Sequence, residues 1–373
     1  MYCERLFSSY FSSCDVEING HRPWDIHVHD ARLYARAVLQ GSLGFGEAYM
    51  DGWWDCPALD MLFYRLVRGG MGRRALYVCS LPSLLTALRY IVCNLQSLRG
   101  ARKVAEAHYD MDNEMFACML GPTMNYSCGY WEGAQTLDAA QVNKMELICH
   151  KLGLAPGMNV LDIGCGWGGL ARYMTHEYGV RVTAATISAQ QHAYATAHSR
   201  GQDIRWLLAD YRELEGRFDR VVSVGMFEHV GRKNYRTFFK KVRSLLADEG
   251  LFLLHTIGNA QGRWCCDPWI AKYIFPHGVL PSFAGVSRAL AGEFIMEDWQ
   301  NIGIHYDKTL MAWYNNFIRC HQNNVFHWDA RHVRMFAYYL LSCAGAFRAR
   351  DLQVWQLVLS PCGSLQDYGR RAL

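Results

Sequence analysis

The 373-residue sequence has no long uninterrupted apolar run. Its best candidate, Leu76 to Leu95, is broken by Ser80, Pro82, Ser83, Thr86 and Arg89, whereas a membrane-spanning helix needs about 20 predominantly apolar residues. The stretch is expected to form a buried or interfacial helix, and any membrane contact is expected to be peripheral. Metal-site spacing is missing too. The 14 cysteines include no C-x-x-C pair, and Cys265 and Cys266 are adjacent, which argues against a structural zinc site. Met1 to Asp15 carries polar and charged residues where a signal peptide has an apolar core, so free thiols in a reducing, cytoplasmic setting are expected. Net charge is small, at +4, and bulk charge therefore does not point to nucleic acid. Internal repeats and low-complexity tracts are absent.

What is present suits a globular protein: hydrophobic residues make up 51% and charged residues 19%, enough for a sizeable core. The length fits two domains, or one with an appendage. Ile18 to Gly20 and Asp25 to Val28 suggest short strands around a turn. Ala31 to Gln40 and Ala58 to Val67 have helical spacing, and the glycine- and aromatic-rich Gly41 to Trp54 suits a tight turn opening a short helix. Between Met61 and Ala105 charge is one-sided: Arg65, Arg68, Arg73, Arg74, Arg89, Arg99, Arg102 and Lys103 occur with no acid among them. Two readings stand open, a solvated linker face or attraction to anionic lipid headgroups. The interleaved Leu81, Leu84, Leu85, Leu88, Ile91 and Val92 favour lipid over nucleic acid.

From about Thr136 the pattern alternates. Helices are expected at Leu137 to Leu152, Gly169 to Tyr178, Ala189 to Ser199 and Lys233 to Leu246. Strands are expected at Asn159 to Gly164, Val180 to Thr186, Ile204 to Leu208, Arg220 to Val224 and Leu251 to His255. This rhythm implies a largely parallel sheet with helices on both faces. Phe294 to Ile302 and Leu352 to Leu359 look like two late strands, paired as a hairpin and flanking a helical insertion from about Lys308 to Arg348. The expected class is α/β, a Rossmann-like methyltransferase sheet.

Asp162-Ile-Gly-Cys-Gly-Trp-Gly168 follows a strand and opens a helix. Gly164, Gly166 and Gly168 let the backbone approach a nucleoside cofactor closely. The acid at the strand end, and the D-x-G-x-G-x-G spacing in place of G-x-G-x-x-G, favour S-adenosylmethionine over NAD. No acid ends the second strand; Thr186, Ser188 and Gln191 stand there and would supply ribose contacts. Asp210 is placed either to accept from the adenine amine or to cap a helix.

Longer strings then resemble one family. Gly41 to Trp54, His108 to Asp110, Tyr126 to Cys128, Leu161 to Leu170, Ser223 to Val230 and Leu253 to Gly258 are similar to cyclopropane-fatty-acyl-phospholipid synthases. So are Asp267 to Ile270, Lys272 to Pro276, Leu310 to Tyr314 and Cys343 to Arg350. The similarity spans almost the whole chain. That to mycolate cyclopropane synthases covers only the catalytic part, because those lack a unit such as Val16 to Gly70. The departures are a short leader before Val16 and Arg263-Trp-Cys-Cys266.

The resemblance implies a class I S-adenosylmethionine-dependent methyltransferase with a helical lid (residues 101–373) and a small N-terminal α+β lipid-binding domain with a basic linker (residues 1–100). It implies methyl transfer to a cis double bond of a phospholipid acyl chain, with ring closure through a carbocation and bound bicarbonate as the base. Cys128, Glu228, His255, Ile257 and Tyr314 would hold the bicarbonate, and Tyr109, Tyr126 and Ser127 would close over the cofactor. It also implies a homodimer, an anionic membrane as partner, and a cytoplasmic enzyme held peripherally at the inner face of the membrane. No metal and no nucleic acid are expected.

Taken singly, each of these residues has a plainer reading. Glu228 would cap a helix, His255 would be a satisfied core histidine, Cys128 a small buried residue, and Tyr314 core packing beside Trp313 and Phe317. A small-molecule O- or N-methyltransferase is a rival, but it leaves the basic stretch unexplained. Methylation without ring closure is a nearer one. A nucleic-acid methyltransferase is disfavoured because Met226-Phe-Glu-His stands where an N-P-P-Y motif belongs. A lipid-binding protein without catalysis is disfavoured by the intact glycine turn.

Overall fold

The computed structural model describes residues 2–70, 96, 113–259, 262, 266–363 and 368. Tyr109, the Leu76 to Leu95 stretch and the basic residues from Arg73 to Lys103 lie outside the described residues. Compactness divides the chain into two units: residues 1–93, 263–276 and 306–352 form one, and residues 94–262, 277–305 and 353–373 the other. The division does not fall at one boundary near residue 100, because parts of the helical insertion group with the N-terminal residues.

The first unit is mainly helical. Strand β1 (His27–Val28) pairs antiparallel with β2 (Trp54–Asp55), and the Ile18 signal amounts to an isolated bridge with Ile26. The helix expected from Ala31 runs on as Arg32–Met50, with a break at Gly41, whose φ is 61°. Helix Tyr2–Ser12 was not anticipated; it buries only Phe7 and Phe11, one turn apart, on an otherwise polar segment. Trp54 is fully buried, stacked on Phe45 at 4.3 Å, and donates its indole N–H to the Phe45 carbonyl at 3.1 Å. The other helices here are Leu59–Arg68, Pro268–Tyr273, most of Ile304–Gln322, and Ala330–Arg348.

The second unit carries the sheet. Its strands are β3 (Asn159–Ile163), β4 (Arg181–Thr186), β5 (Ile204–Leu208), β6 (Phe218–Val224), β7 (Leu246–Asn259), β8 (Phe294–Asn301) and β9 (Leu352–Pro361). Their order is β5-β4-β3-β6-β7-β9-β8. The pairs among β3 to β7 are parallel, and β8 pairs antiparallel with β9. This is the Rossmann-like methyltransferase sheet that the alternating pattern implied.

Local chemistry sets the boundaries. Thr136 accepts from the Ala139 N–H and opens helix Leu137–Leu152, which ends at Gly153. One face of the sheet packs Phe252, with Phe227, against Tyr235, Phe238 and Phe239 of helix Tyr235–Leu245. The other packs Met145, Ile148, Leu170, Met174, Val182 and Leu253. Both faces of the parallel strands are thus covered, as an all-apolar strand requires.

Helices Asn113–Leu120 and Phe283–Leu290 were not anticipated. Among the described residues no helix is long and apolar enough to cross a membrane. Nine described cysteines are free thiols, but Cys118 and Cys320 are disulfide-bonded, where free thiols were expected.

Candidate active site

The parallel strands of the second unit end where the glycine turn begins. Gly164 and Gly168 have φ of 83° and 81°, a region that side-chain-bearing residues avoid. Space excludes a side chain as well. A Cβ on Gly164 would lie 2.6 Å from Met226 Cβ, and one on Gly168 would lie 2.3 Å from the Trp206 ring. The N–H groups of Gly164 and Cys165 donate to the Ala185 carbonyl at 2.8 and 3.0 Å, which ties the turn to β4.

Asp162, near the end of β3, is 2% exposed, and its Oδ2 has no hydrogen-bond partner among the described residues. Burial pushes its pKa up to about 7 against the pull of the Lys144 ammonium. An unsatisfied buried acid beside a bare backbone turn at the carboxyl ends of parallel strands fits a nucleoside cofactor such as S-adenosylmethionine, whose hydroxyls and ammonium would supply the missing donors.

At the tip of β4, Thr186 Oγ1 donates to Gln191 Oε1 at 2.8 Å and accepts from the Ser188 N–H at 3.2 Å. Ser188 Oγ in turn accepts from the Gln191 N–H and caps helix Ala189–Ala197. The three are therefore brought together, bonded to one another. Asp210 caps the 3-10 turn Tyr211–Glu213: Oδ1 accepts from the Arg212 N–H at 3.0 Å. Of its two expected placements, capping is present.

The segment before helix Leu137–Leu152 carries Tyr126, Ser127 and Cys128. Tyr126 packs edge-on to Phe116 at 5.4 Å, and Phe116 packs on Trp167 of the glycine turn at 5.0 Å. Ser127 Oγ accepts from Lys144 Nζ at 2.9 Å, and the Ser127 carbonyl accepts from Gln141 Nε2 at 2.9 Å. Cys128 is fully buried, with Sγ donating to the Gly129 carbonyl at 3.3 Å.

Parallel pairing of β6 and β7 sets Val224 beside His255. Glu228 follows in the 3-10 turn Phe227–His229. Its Oε1 accepts from the Ile257 N–H at 2.6 Å, while Oε2 has no partner among the described residues. Burial pushes Glu228 up to about 7, with the Ile257 N–H opposing. His255 is 2% exposed and burial pushes it down to about 3, so its ring is neutral. Its Nδ1 pairs with Gln356 Nε2 of β9 at 3.3 Å, which leaves the ring proton on Nε2 as a donor.

Of the residues nominated from sequence, Glu228 and Ile257 are in direct contact, and His255 lies on the same strand as Ile257. Tyr314 belongs to the helical unit, half-buried on helix Ile304–Gln322, and burial and Asp60 raise its hydroxyl pKa. Both backbone groups of Ile257 are engaged, because its carbonyl accepts from Thr256 Oγ1 at 3.2 Å. Lys144, Gln141 and Gln356 were missed. The first two left a readable trace: Leu137, Ala140, Gln141, Lys144 and Ile148 share one buried helix face, and a lysine at a core position needs a reason.

A family model described as mycolic acid cyclopropane synthetase matches residues 96–357. The chain is 49% identical over 356 residues to a cyclopropane-fatty-acyl-phospholipid synthase of Escherichia coli K12, covering 95% of this chain and 93% of that protein. It is 34% identical over 275 residues to the cyclopropane mycolic acid synthase MmaA2 of Mycobacterium tuberculosis, covering 68% of this chain and 96% of that protein. Among solved structures, the mycolic acid cyclopropane synthase CmaA1 complexed with SAH and CTAB superposes with a TM-score of 0.64. It is 33% identical, covering 69% of this chain and 97% of that one.

Proposed function

Because the chain belongs to the mycolic acid cyclopropane synthetase family, we propose that it converts cis double bonds of membrane phospholipid acyl chains into cyclopropane rings. Methyl transfer from S-adenosylmethionine is the activity of this enzyme type. One observation carries the phospholipid reading: the 49% identity to a cyclopropane-fatty-acyl-phospholipid synthase runs through 95% of the chain, where the mycolate enzyme covers 68%.

The bound sulfonium supplies an electrophilic methyl group, and a bound bicarbonate supplies the base that lets the ring close. The chain's residues do the rest. Asp162 and the turn through Gly164, Gly166 and Gly168 hold the donor, with Thr186, Ser188 and Gln191 toward the ribose and Asp210 toward the adenine. Tyr109, Tyr126 and Ser127 close over it. An alkene has no acidic proton, so no side chain activates it beforehand; the protein's task is to place a base beside the new methyl group. His255 and the Tyr314 hydroxyl would donate to the anion, Cys128 would line its site, and Glu228, positioned by the Ile257 N–H, would accept the anion's proton. The protein works as a homodimer at the inner face of the membrane, held by its basic N-terminal part.

The test is mass spectrometry of unsaturated phospholipid vesicles incubated with enzyme and S-adenosylmethionine, with and without bicarbonate. One methylene gained per double bond, resistant to hydrogenation and dependent on bicarbonate, is the expected result. A branched product with two more hydrogens would mean methylation without ring closure, and no lipid product would end the phospholipid reading. Light scattering that finds only monomer would end the dimer reading.

A further inference from the structure

Strand β9 runs apolar and buried from Val354 to Leu359 with one exception, Gln356, which is fully buried in the middle of it. The neighbouring strand in the sheet is β7, and across that pair Gln356 Nε2 meets His255 Nδ1 at 3.3 Å. This is the amide's one hydrogen bond among the described residues, since Oε1 has no partner. A half-satisfied buried amide costs free energy that a methionine or leucine of similar size would not. Packing therefore gives no reason for a glutamine here, but the histidine does. His255 is 2% exposed, and its ring has no other hydrogen-bond partner among the described residues. Burial keeps the ring neutral, and Lys144 and Lys151 of helix Leu137–Leu152 oppose a charge on it as well. A neutral imidazole has one N–H and one bare nitrogen, and the partner at one nitrogen decides the role of the other.

We propose that Gln356 is a positioning residue for His255: its amide N–H, held against Nδ1, fixes the orientation of the ring and the tautomer that presents an N–H at Nε2 to the anion. The inference rests on the reading of His255 as an anion donor and adds what makes a neutral ring donate in one direction only. Both residues belong to the sheet-bearing unit and sit on adjacent strands, so the backbone sets their spacing. Partners of this kind orient metal-bound histidines in the same way, by engaging the nitrogen that the ligand does not use. Without the amide the ring is free to turn and to move its proton to Nδ1. The anion that it holds then loses the placement on which base catalysis first depends.

The test reads the tautomer of His255 by nitrogen NMR of the full-length protein, its signals identified by their loss in His255→Gln, together with kinetics on unsaturated phospholipid vesicles. The parent should carry the ring proton on Nε2. Gln356→Met removes the donor at similar size and should populate both tautomers. Its kcat should fall about tenfold or more, with KM for bicarbonate raised and KM for S-adenosylmethionine unchanged. A merely structural loss would lower the melting temperature and leave the tautomer in place. In the His255→Gln background, Gln356→Met should cost nothing further, whereas independent effects would multiply. Gln356→Glu, ionised at about pH 9, puts an acceptor in the donor's place and should move the proton to Nδ1; it serves if the methionine variant does not fold. A parent ring protonated on Nδ1, or a folded variant that keeps the parent's tautomer or its kcat, overturns the proposal. His255→Gln separates the two layers. If it keeps the parent's kcat, the reading of His255 as an anion donor fails; if it alone lowers kcat, only the role of Gln356 fails.

Discussion

In the helical unit, Glu47 is 7% exposed; Oε2 accepts from Arg36 at 2.5 Å, and Oε1 accepts from Lys272 at 2.6 Å and from Tyr273 at 2.8 Å. In the sheet-bearing unit, Asp162 and Glu228 are 2% and 6% exposed, and each keeps one oxygen without a partner among the described residues. Equal burial therefore ends in opposite electrostatics. Burial raises all three carboxyls, but for Glu47 the bonds from Lys272, Tyr273 and Arg36 win and hold it below its usual range. Asp162 and Glu228 stay up near 7. Arg348 repeats the first pattern, bonded to Asp307 and Asp60. Saturated charges hold a fold together; unsaturated ones reserve their bonding capacity for a ligand.

The sharpest way to break that contrast is Glu228→Gln, which keeps an acceptor for the Ile257 N–H but removes the charge. It should lower kcat by about 10²-fold or more and leave the melting temperature unchanged or higher, because an unpaired buried charge disappears. A falling melting temperature with kcat intact would assign Glu228 to structure. Next comes Glu47→Ala, which removes the shared acceptor of Arg36, Lys272 and Tyr273 while Arg36 keeps Asp51. It should lower the midpoint of denaturant unfolding, and an unchanged midpoint would mean that the network is solvated.

The contrast also has a pH signature. Asp25 is fully buried; burial raises it, but the bonds from Arg22 and two backbone N–H groups prevail and hold it at about 2. A depressed carboxyl contributes stability above its unfolded pKa of about 4 and loses it as pH falls through about 2. Asp162 and Glu228 work in the other sense. With folded values near 7, they cost stability progressively as pH rises from about 4 to 7. His255 and His229, which burial holds down at about 3 and about 4, gain stability over the same window and offset that loss. Asp162→Asn with Glu228→Gln should therefore tilt melting temperature upward from mildly acidic to neutral pH relative to the parent, and an unchanged pH profile would mean that neither carboxyl is raised in the folded state.

How much of this was legible in the sequence follows the same division. Helix Gly169–Tyr178 and strand β5 fell where periodicity and glycine placed them, because both are bounded by local signals. Helix Pro268–Tyr273 was missed although Asp267 caps it and Pro268 opens it; at six residues it is too short to show a period. The Glu228–Ile257 bond joins residues 29 apart in sequence and depends on the parallel register of β6 and β7, which no local pattern encodes. The Glu47 network reaches across 225 residues to Lys272 and was equally invisible, even though Glu47, Lys272 and Tyr273 lie inside strings that resemble the family.

The smallest effect expected concerns two arginines read alike in the sequence. Arg65 is tied to Asp15 and lies over the Trp24 ring at 4.0 Å. Arg68, at the end of the same helix, is exposed. If the basic stretch meets anionic lipid, only a solvated arginine contributes, at about 1 kcal/mol per residue near the surface. Arg68→Gln should then weaken binding to phosphatidylglycerol vesicles several-fold, and Arg65→Gln should leave it nearly unchanged while loosening the Asp15 contact. Equal losses would mean that Arg65 exchanges Asp15 for lipid at the surface. No loss from Arg68→Gln would remove this helix end from the membrane-facing surface.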